Sequence, residues 1–269
     1  MAEDLSWVPA GVDTGKPSIA RVYDYWLGGT HNLQADRDAA RAMIAVEPNG
    51  RAIIRANRDF LARAVRFLTG AGIRQFLDIG SGIPTQGNVH EVAQTAAPDA
   101  KVVYADIDPV AVAHSRAILR GNLAAVAVRA DLREPAAILA SPEVLRLIDF
   151  GQPVGLLLAA VLHFVPDDRD PWRVVATLRD ALAPGSYLVL SHGTADGKPG
   201  VAAAAQKLYN RSVAQASLRP RAAIERFFSG FDMVEPGVVD LPEWRPASPA
   251  NGGGDTAKYW ILGGVGCKP

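Results

Sequence analysis

The sequence predicts an α/β fold built on a mostly parallel sheet that helices cover on both faces. Two observations support this prediction. Beyond residue 74, five almost wholly apolar runs are typical of buried strands: FLDIG, KVVYADI, AVAVRADL, VGLLLAAVLHFV and SYLVLSH. Segments with apolar residues at helical spacing lie between these runs. Strands that lack an alternating polar face, and that alternate with helices, are typical of parallel sheets buried on both sides.

The remaining elements follow in chain order. The region before the first strand is predicted to be helical, with apolar residues at helical spacing between residues 53 and 68. Later helices are predicted at 89–97, 110–119, 135–148, 172–182, 202–212 and 221–228. Two final strands, near 231–239 and 258–265, are joined by a Pro/Gly-rich connection, which favours an antiparallel pair at the sheet edge. We therefore expect seven strands, with residues 1–70 as a helical extension and 71–269 as the main domain.

Composition excludes several classes of function. The chain has 269 residues, with 28 Lys+Arg and 28 Asp+Glu, so its formal net charge is zero and a general nucleic-acid binder is not expected. Its single cysteine, Cys267, excludes an internal disulfide and favours a reducing compartment. The N-terminus has no signal-peptide pattern, and the apolar runs are too short to cross a bilayer. We expect a cytoplasmic protein with no membrane partner.

The stretch FLDIGSGIPTQGNVHEVA contains the first strand, a glycine turn and the start of a helix. Ligands of open α/β folds bind at such a turn, beyond the carboxyl ends of the strands. Gly80 and Gly82, on either side of Ser81, allow the backbone to approach a ligand closely, although βα turns also use glycine for structure alone. Asp78 precedes this turn, and its carboxylate would repel a phosphate but suits an ammonium or a ribose hydroxyl.

Two further acids follow the second and third predicted strands. Asp106 ends KVVYAD, where a carboxylate can accept hydrogen bonds from both hydroxyls of a ribose. Asp131, followed by Leu132, ends the third strand, where an acid can accept from an adenine amino group. The alternative for Asp131 is a helix N-cap before Pro135. Three acids at consecutive strand ends are the main signal for a nucleoside site.

The spacing of the glycines disfavours a pyrophosphate ligand. The dinucleotide fingerprint G-x-G-x-x-G requires a third glycine at position 85, where the sequence has Thr85. A nicotinamide-dependent reductase, which would share the architecture, is therefore disfavoured. The ligand inferred is a nucleoside with a positively charged part and no phosphate, and S-adenosylmethionine (SAM) fits this description.

With these motifs, the sequence resembles the class I SAM-dependent methyltransferases, which have a Rossmann-like fold. D-x-G-x-G at Asp78–Gly82, Asp106 with Ile107, and Asp131 with Leu132 match the SAM motifs of that superfamily in order. LLLAAVLHFV resembles its fourth-strand segment. By this resemblance Ala159 would line the cofactor pocket, and His163 would lie near the transferred methyl group. His163 ends the predicted fourth strand and could act as a base or orient the acceptor; the alternative is a helix-cap or core-edge histidine.

More narrowly, the sequence resembles an actinobacterial family of SAM-dependent methyltransferase-like proteins. Segments spread over nearly the whole chain support this resemblance, among them PSIARVYDYWLGGTHNLQADRDAA, RQFLDIGSGIPT, VVYADIDPVAVAHSRAIL and EPGVVDLPEWRP. The chain departs from the wider superfamily at Pro84, where many members have a third glycine. The family implies SAM as the cofactor, a small-molecule acceptor and no metal, and it specifies neither the acceptor nor the oligomeric state.

The segment RVYDYWLGG, before the first strand, has two interpretations. It can be an aromatic helix that packs on the fold and ends at Gly28. It can also be a lid over the cofactor, with Arg21 or Tyr23 in contact with the carboxylate or sulfonium end of SAM, because an aromatic face attracts a cation.

An alternative for the whole protein is a SAM-binding sensor that catalyses no transfer. Such a sensor would need the adenosine motifs but no acceptor pocket.

Overall fold

A computed structural model, which describes residues 5–84, 87–196, 199–246 and 260–269, confirms the α/β prediction. The sheet order is β3-β2-β1-β4-β5-β8-β6, with β7 also paired to β8. The first five strands are mutually parallel, and β8 is antiparallel to β5. The strands are β1 (Gln75–Ile79), β2 (Lys101–Asp106), β3 (Ala125–Arg129), β4 (Gly155–Ala159), β5 (Tyr187–Gly193), β6 (Asp232–Met233), β7 (Val239–Asp240) and β8 (Ile261–Cys267).

The described residues form eight strands, whereas the sequence predicted seven. The predicted strand at 231–239 is two short strands, β6 and β7, which pair with the two ends of β8 and so share one position in the sheet. Pro236 lies between them and has no N–H to donate to a ladder, which explains the interruption. The antiparallel edge is confirmed, while the predicted start of the last strand, at Lys258 and Tyr259, lies outside the described residues.

Ten helices lie in the described part of the chain, and their positions agree with the predicted pattern. They are α1 (Ile19–Leu27), α2 (Gln34–Val46), α3 (Gly50–Gly70), α4 (Val89–Ala96), α5 (Pro109–Ile118), α6 (Pro135–Leu139), α7 (Pro142–Leu145), α8 (Pro171–Ala181), α9 (Pro199–Ser212) and α10 (Arg221–Glu225). The predicted helix at 135–148 is broken into α6 and α7, because Pro142 cannot donate a backbone hydrogen bond within a helix. Short 3₁₀ turns follow β4 and α10.

The hydrophobic core lies on both faces of the sheet, as the apolar strands predict. On one face α3, α4 and α5 pack against the strands, with Phe60, Leu68 and Phe76 fully buried. On the other face lie α6, α7, α8 and α10. Burying one such side chain stabilises the fold by about 1.5–3 kcal/mol. Helix α3 is therefore a layer of the sheet structure, while α1 and α2 lie beyond it, near the carboxyl ends of the strands.

Helix α1 shows how the N-terminal segment is held. Its N-cap, Ser18, accepts a hydrogen bond from the N–H of Arg21, and Gly28 ends the helix in the left-handed conformation, as the aromatic-helix interpretation predicts. Val22 and Trp26 are buried against α2 and α3. Across the described ranges, we find no helix with the length and apolarity that crossing a bilayer demands.

Candidate functional site

A cavity of about 720 Å³ opens at the carboxyl ends of the parallel strands, and we call it the wide cavity. Its volume lies within the usual range for sites that hold small molecules or cofactors. All eleven predicted cofactor-binding residues line it: Arg21, Tyr23, Asp78, Gly80, Ser81, Gly82, Asp106, Ile107, Asp131, Leu132 and Ala159. The structure thus brings together residues from α1 and from the ends of four strands.

Asp106 joins the end of β2 to the glycine turn. One carboxylate oxygen accepts the N–H of Gly82 at 2.7 Å, and the other accepts the N–H of Asp108 at 2.8 Å. The side chain is almost fully buried, and this burial raises its pKa to about 6, against the lowering effect of the two backbone donors. Each oxygen has a second lone pair, so the carboxylate is held in place and can still accept from a ligand.

The two glycines of the turn are required for different reasons. Both have a positive φ, +74° for Gly80 and +67° for Gly82. A Cβ at Gly80 would lie 2.2 Å from a methyl group of Val161, so this position is glycine because of packing. A Cβ at Gly82 would meet nothing within 4 Å. Gly82 therefore exposes its backbone on the cavity wall, where a ligand can approach it closely, and this fits a nucleoside cofactor.

Asp78 lies at the end of β1 and is 3% exposed. Burial raises the pKa of its carboxyl to about 7, the positive charge of Arg58 lowers it, and the neighbouring Asp106 raises it. Arg58, from α3, also lines the wide cavity, and its Nη2 donates to the carbonyl of Gly87 at 3.3 Å. Sequence reasoning missed Arg58, because several arginines share this helix and its periodicity does not show which of them faces a cavity.

The third acid, Asp131, is bound to a neighbouring cation. Its carboxylate forms an ion pair with Arg133 at 2.5 Å and accepts the N–H of the same residue, which lowers the pKa of Asp131. It is not a helix N-cap, since Glu134 has that position before α6. Leu132, next to it, is buried, and Ile107, which also lines the wide cavity, is 52% exposed. These two apolar side chains form a surface that suits a flat ring.

Residues of the N-terminal segment also line the wide cavity. Arg21 is buried, and its Nε donates to Asp36 at 2.7 Å while Nη2 donates to the carbonyl of Lys16. The Tyr23 hydroxyl accepts from the side-chain amide of Asn57 at 3.0 Å, and burial raises its pKa. The side chain of Ser18 donates to Asp108, which ties the start of α1 to the loop after β2.

The predicted location of His163 is wrong. Strand β4 ends at Ala159, and Ala160 has a φ of +54° that turns the chain out of the sheet, so His163 lies in the 3₁₀ turn Leu162–Phe164. Its side chain does not line the wide cavity. The apolar run continues through the turn, so the sequence gives no signal for the end of the strand. Burial lowers the pKa of His163 to about 3, which leaves the ring neutral.

Arg219, which sequence reasoning also missed, holds the turn that contains His163. Its guanidinium is 2% exposed and donates to the carbonyls of Leu162 and Val165, at 3.1 and 2.7 Å, and to Asp167 at 2.5 Å. It also donates to Nε2 of His192 at 2.8 Å, so the proton of that neutral ring lies on Nδ1. His192 is therefore a structural histidine. Arg219 lies in a loop that is far in sequence from the turn at His163, and the fold brings the two together.

A smaller cavity of about 90 Å³, which we call the inner cavity, adjoins the wide one. The two cavities share Ile19, Tyr23, Ala160 and Phe164 as a common wall. His163 lines the inner cavity. Within the described ranges no cluster of three or more His, Cys, Asp or Glu residues could hold a metal ion.

The fold and the wide cavity define a class I SAM-dependent methyltransferase. Comparison with known families agrees: the family described as S-adenosyl methyltransferase matches residues 6–269. The chain belongs to this family, which confirms the resemblance and the choice of SAM as cofactor. A search of curated proteins found no match.

Two solved structures resemble the chain over almost its whole length. A candidate methyltransferase from Thermobifida fusca YX is 42% identical, with 97% of this chain and 98% of that chain covered and a TM-score of 0.93. A DUF574 family protein from Streptomyces avermitilis is 40% identical, with 96% and 99% covered and a TM-score of 0.92. The N-methyltransferase NodS from Bradyrhizobium japonicum WM9 is 14% identical, covers 82% and 99%, has a TM-score of 0.50 and shares the fold alone.

Proposed function

We propose that the wide cavity binds SAM and that the protein transfers its methyl group to a small-molecule acceptor. One observation supports this most strongly: the buried carboxylate of Asp106 and the exposed backbone of Gly82 lie on one wall and are hydrogen-bonded to each other. A fixed carboxylate next to a turn without side chains suits a ribose, whose two hydroxyls can both donate to it.

The other predicted residues contact either the adenine end or the methionine end of SAM. Ile107 and Leu132 provide apolar contacts for the adenine ring, and Asp131 can accept from its amino group. Asp78 would pair with the ammonium of the methionine part, since a positive charge there favours the ionised form of this buried acid. Arg58 and Arg21 are the cations that can bind the carboxylate of the methionine part. Gly80 and Ser81 form the turn between the adenine and methionine ends of SAM.

SAM supplies a methyl group that its sulfonium already activates toward displacement. The protein therefore has to orient the acceptor and exclude water, and holding two reactants in line can lower a barrier by several kcal/mol. Ala159, at the end of β4, lines the part of the wide cavity nearest the common wall with the inner cavity. A general base is needed only when the acceptor arrives protonated, so the neutral His163 is not required as one.

The proposal assigns residues 1–70 to the cover of the cofactor and residues 71–269 to the SAM-binding domain. Residues 11–13 and 16–21 line the wide cavity, which supports the first assignment, although α3 is also part of the sheet structure. The acceptor is a small molecule and neither a nucleic acid nor a membrane lipid, in line with a net charge of zero. The single cysteine favours the cytoplasm as the place of the reaction.

Isothermal titration with SAM tests the proposal. Replacing Asp106 with Ala removes two charge-assisted hydrogen bonds to the ribose, each worth about 1.5–3 kcal/mol, so we expect SAM affinity to fall by roughly 100-fold or more. Asp99→Ala is the control, because this acid forms an exposed ion pair with Arg74 at the opposite end of β2. Equal SAM affinity in wild type and D106A would contradict the site.

A turnover assay separates the enzyme from the sensor. Extracts of the source organism are supplied with SAM and the protein, and the formation of S-adenosylhomocysteine is measured. Formation that needs the protein and is lost in D106A supports transfer. Tight SAM binding without any turnover would instead support a sensor, and tighter binding of NAD(P)H than of SAM would revive the reductase.

A further inference from the structure

We propose that the inner cavity is the acceptor site and that it takes the apolar end of a small, neutral molecule with a short branched aliphatic group. This inference rests on the proposed function, because it assigns the acceptor of the reaction for which the wide cavity holds the cofactor. Three features of the inner cavity support it: its position, the chemistry of its lining and its size.

The position of the inner cavity follows from the wall that it shares with the wide cavity. Tyr23, Ala160 and Phe164 line both cavities, so a molecule anchored in the inner cavity lies directly beside the cofactor site. Ala160 directly follows β4, where the chain leaves the sheet. An acceptor bound there is next to the part of the wide cavity that Ala159 lines, away from the ribose-binding wall at Asp106.

The lining of the inner cavity is almost wholly apolar. It includes Trp26, Met43, Ile53, Ile54, Leu218 and Ile261. The one carboxylate in its wall, Glu47, already accepts from the N–H of Asn49 at 2.9 Å and from the indole N–H of Trp260 at 3.1 Å. Moving a charged ligand from water into such a cavity is strongly unfavourable, so the part of the acceptor that enters is uncharged.

His163 provides a polar contact for the acceptor. Its Nδ1 accepts the N–H of Gly193 at 3.4 Å, so the proton of the neutral ring lies on Nε2. A ring in this tautomer donates a hydrogen bond, and an acceptor with a hydroxyl or carbonyl oxygen complements it. His163 is therefore a positioning residue, and the Arg219 network that holds its turn fixes the ring.

The size of the cavity sets the size of the group that enters it. A cavity of about 150 Å³ lined by Leu, Ile and Phe binds benzene. The inner cavity, at about 90 Å³, is smaller than this and suits a branched aliphatic group of about three or four carbons. A six-membered aromatic ring is too large for it unless a lining side chain is shortened.

Two variants change this volume in opposite directions without touching the wide cavity. Ala205→Leu fills the inner cavity from α9, and Leu218→Ala enlarges it by three carbons. Ala204→Leu is the matched control, because Ala204 is the exposed neighbour of Ala205 on the same helix. The probes are 3-methyl-1-butanol, whose apolar end is a branched group of four carbons, and benzyl alcohol, whose apolar end is a rigid ring of six. Ligand-observed NMR measures their dissociation constants with the S-adenosylhomocysteine-loaded protein.

We expect wild type and A204L to bind 3-methyl-1-butanol, A205L to bind it at least about 10-fold more weakly, and L218A to gain about 10-fold for benzyl alcohol. SAM affinity, measured by titration, should stay within about twofold in all variants, since none of the three substituted residues lines the wide cavity. If the wild type binds SAM but neither A205L nor L218A changes the affinity for either alcohol, this inference is overturned. The proposed function then stays intact. Loss of SAM binding in the wild type would overturn the proposed function itself.

Discussion

Asp78 makes the stability of the cofactor-free protein depend on pH. Its pKa is about 7 in the folded protein, against 3.8 for the same group in solvent, because burial disfavours the charged form. An acid whose pKa is raised by folding stabilises the protein fully below the unfolded pKa, and this stabilisation is lost as the pH rises through the folded pKa. A difference of about 3 units corresponds to about 4 kcal/mol in total.

Replacing Asp78 with Asn removes this titration while keeping the size of the side chain. Between pH 5 and pH 8 we expect the free energy of unfolding of the wild type to fall by roughly 2–3 kcal/mol more than that of D78N. Above pH 8 the variant should be the more stable of the two. Asp106, whose pKa is also raised by burial, titrates in both proteins, so the cost of its own burial affects both stability curves.

Urea unfolding followed by circular dichroism, at half-unit steps of pH, measures this difference. The reasoning about burial would be refuted by two parallel stability curves, because Asp78 would then have the same pKa in the folded and unfolded chains. A second titration links the effect to the ligand: SAM should bind more tightly as Asp78 ionises, so wild-type affinity should rise between pH 6 and pH 8. That rise should be smaller in D78N, in which Asp106 still ionises over part of this range.

Three further predictions use the same unfolding measurement. Arg58→Met removes the charge that lowers the pKa of Asp78, so the fall in stability should occur at a pH higher by roughly one unit. A stability curve that stays at the same pH would show that this charge is screened. Gly80→Ala should lower the free energy of unfolding by about 3 kcal/mol, because the positive φ strains an alanine and its Cβ would also clash with Val161. Its control, Gly121→Ala, has a similar φ with open space and should lose only about 1 kcal/mol. Arg219→Met leaves the buried carbonyl of Val165 and Nε2 of His192 without their donor, and should lower stability by about 3 kcal/mol. A loss below about 1 kcal/mol would contradict its role in holding the turn.

The fold class could be predicted because the parallel strands are apolar on both faces, and this property is visible in the sequence alone. Strand ends were harder to predict. The run from Gly155 to Val165 is apolar apart from His163, yet the strand stops at Ala159, where the left-handed conformation of Ala160 turns the chain. This turn has no compositional signal. This is why His163 was assigned to the wrong element.

The wall of the cofactor site could be predicted because its acids directly follow strands, and parallel strands bring their carboxyl ends to one edge. Residues that reach a site from elsewhere escape such reasoning. Arg58 lies on a helix that precedes the sheet, and Arg219 lies in a loop after α9. Several arginines in each region have the same local pattern, and tertiary packing alone determines which of them is buried.

The pairing of β8 bears on how the chain folds during synthesis. This strand, Ile261–Cys267, is paired along its whole length with β5 and also holds β6 and β7, so the sheet is incomplete on that side until residue 267 has left the ribosome. Ile261 also lines the inner cavity. The nascent chain can therefore assemble the strands β1 to β4, which end at the wide cavity, early in synthesis. The inner cavity is complete only after β8 has been translated.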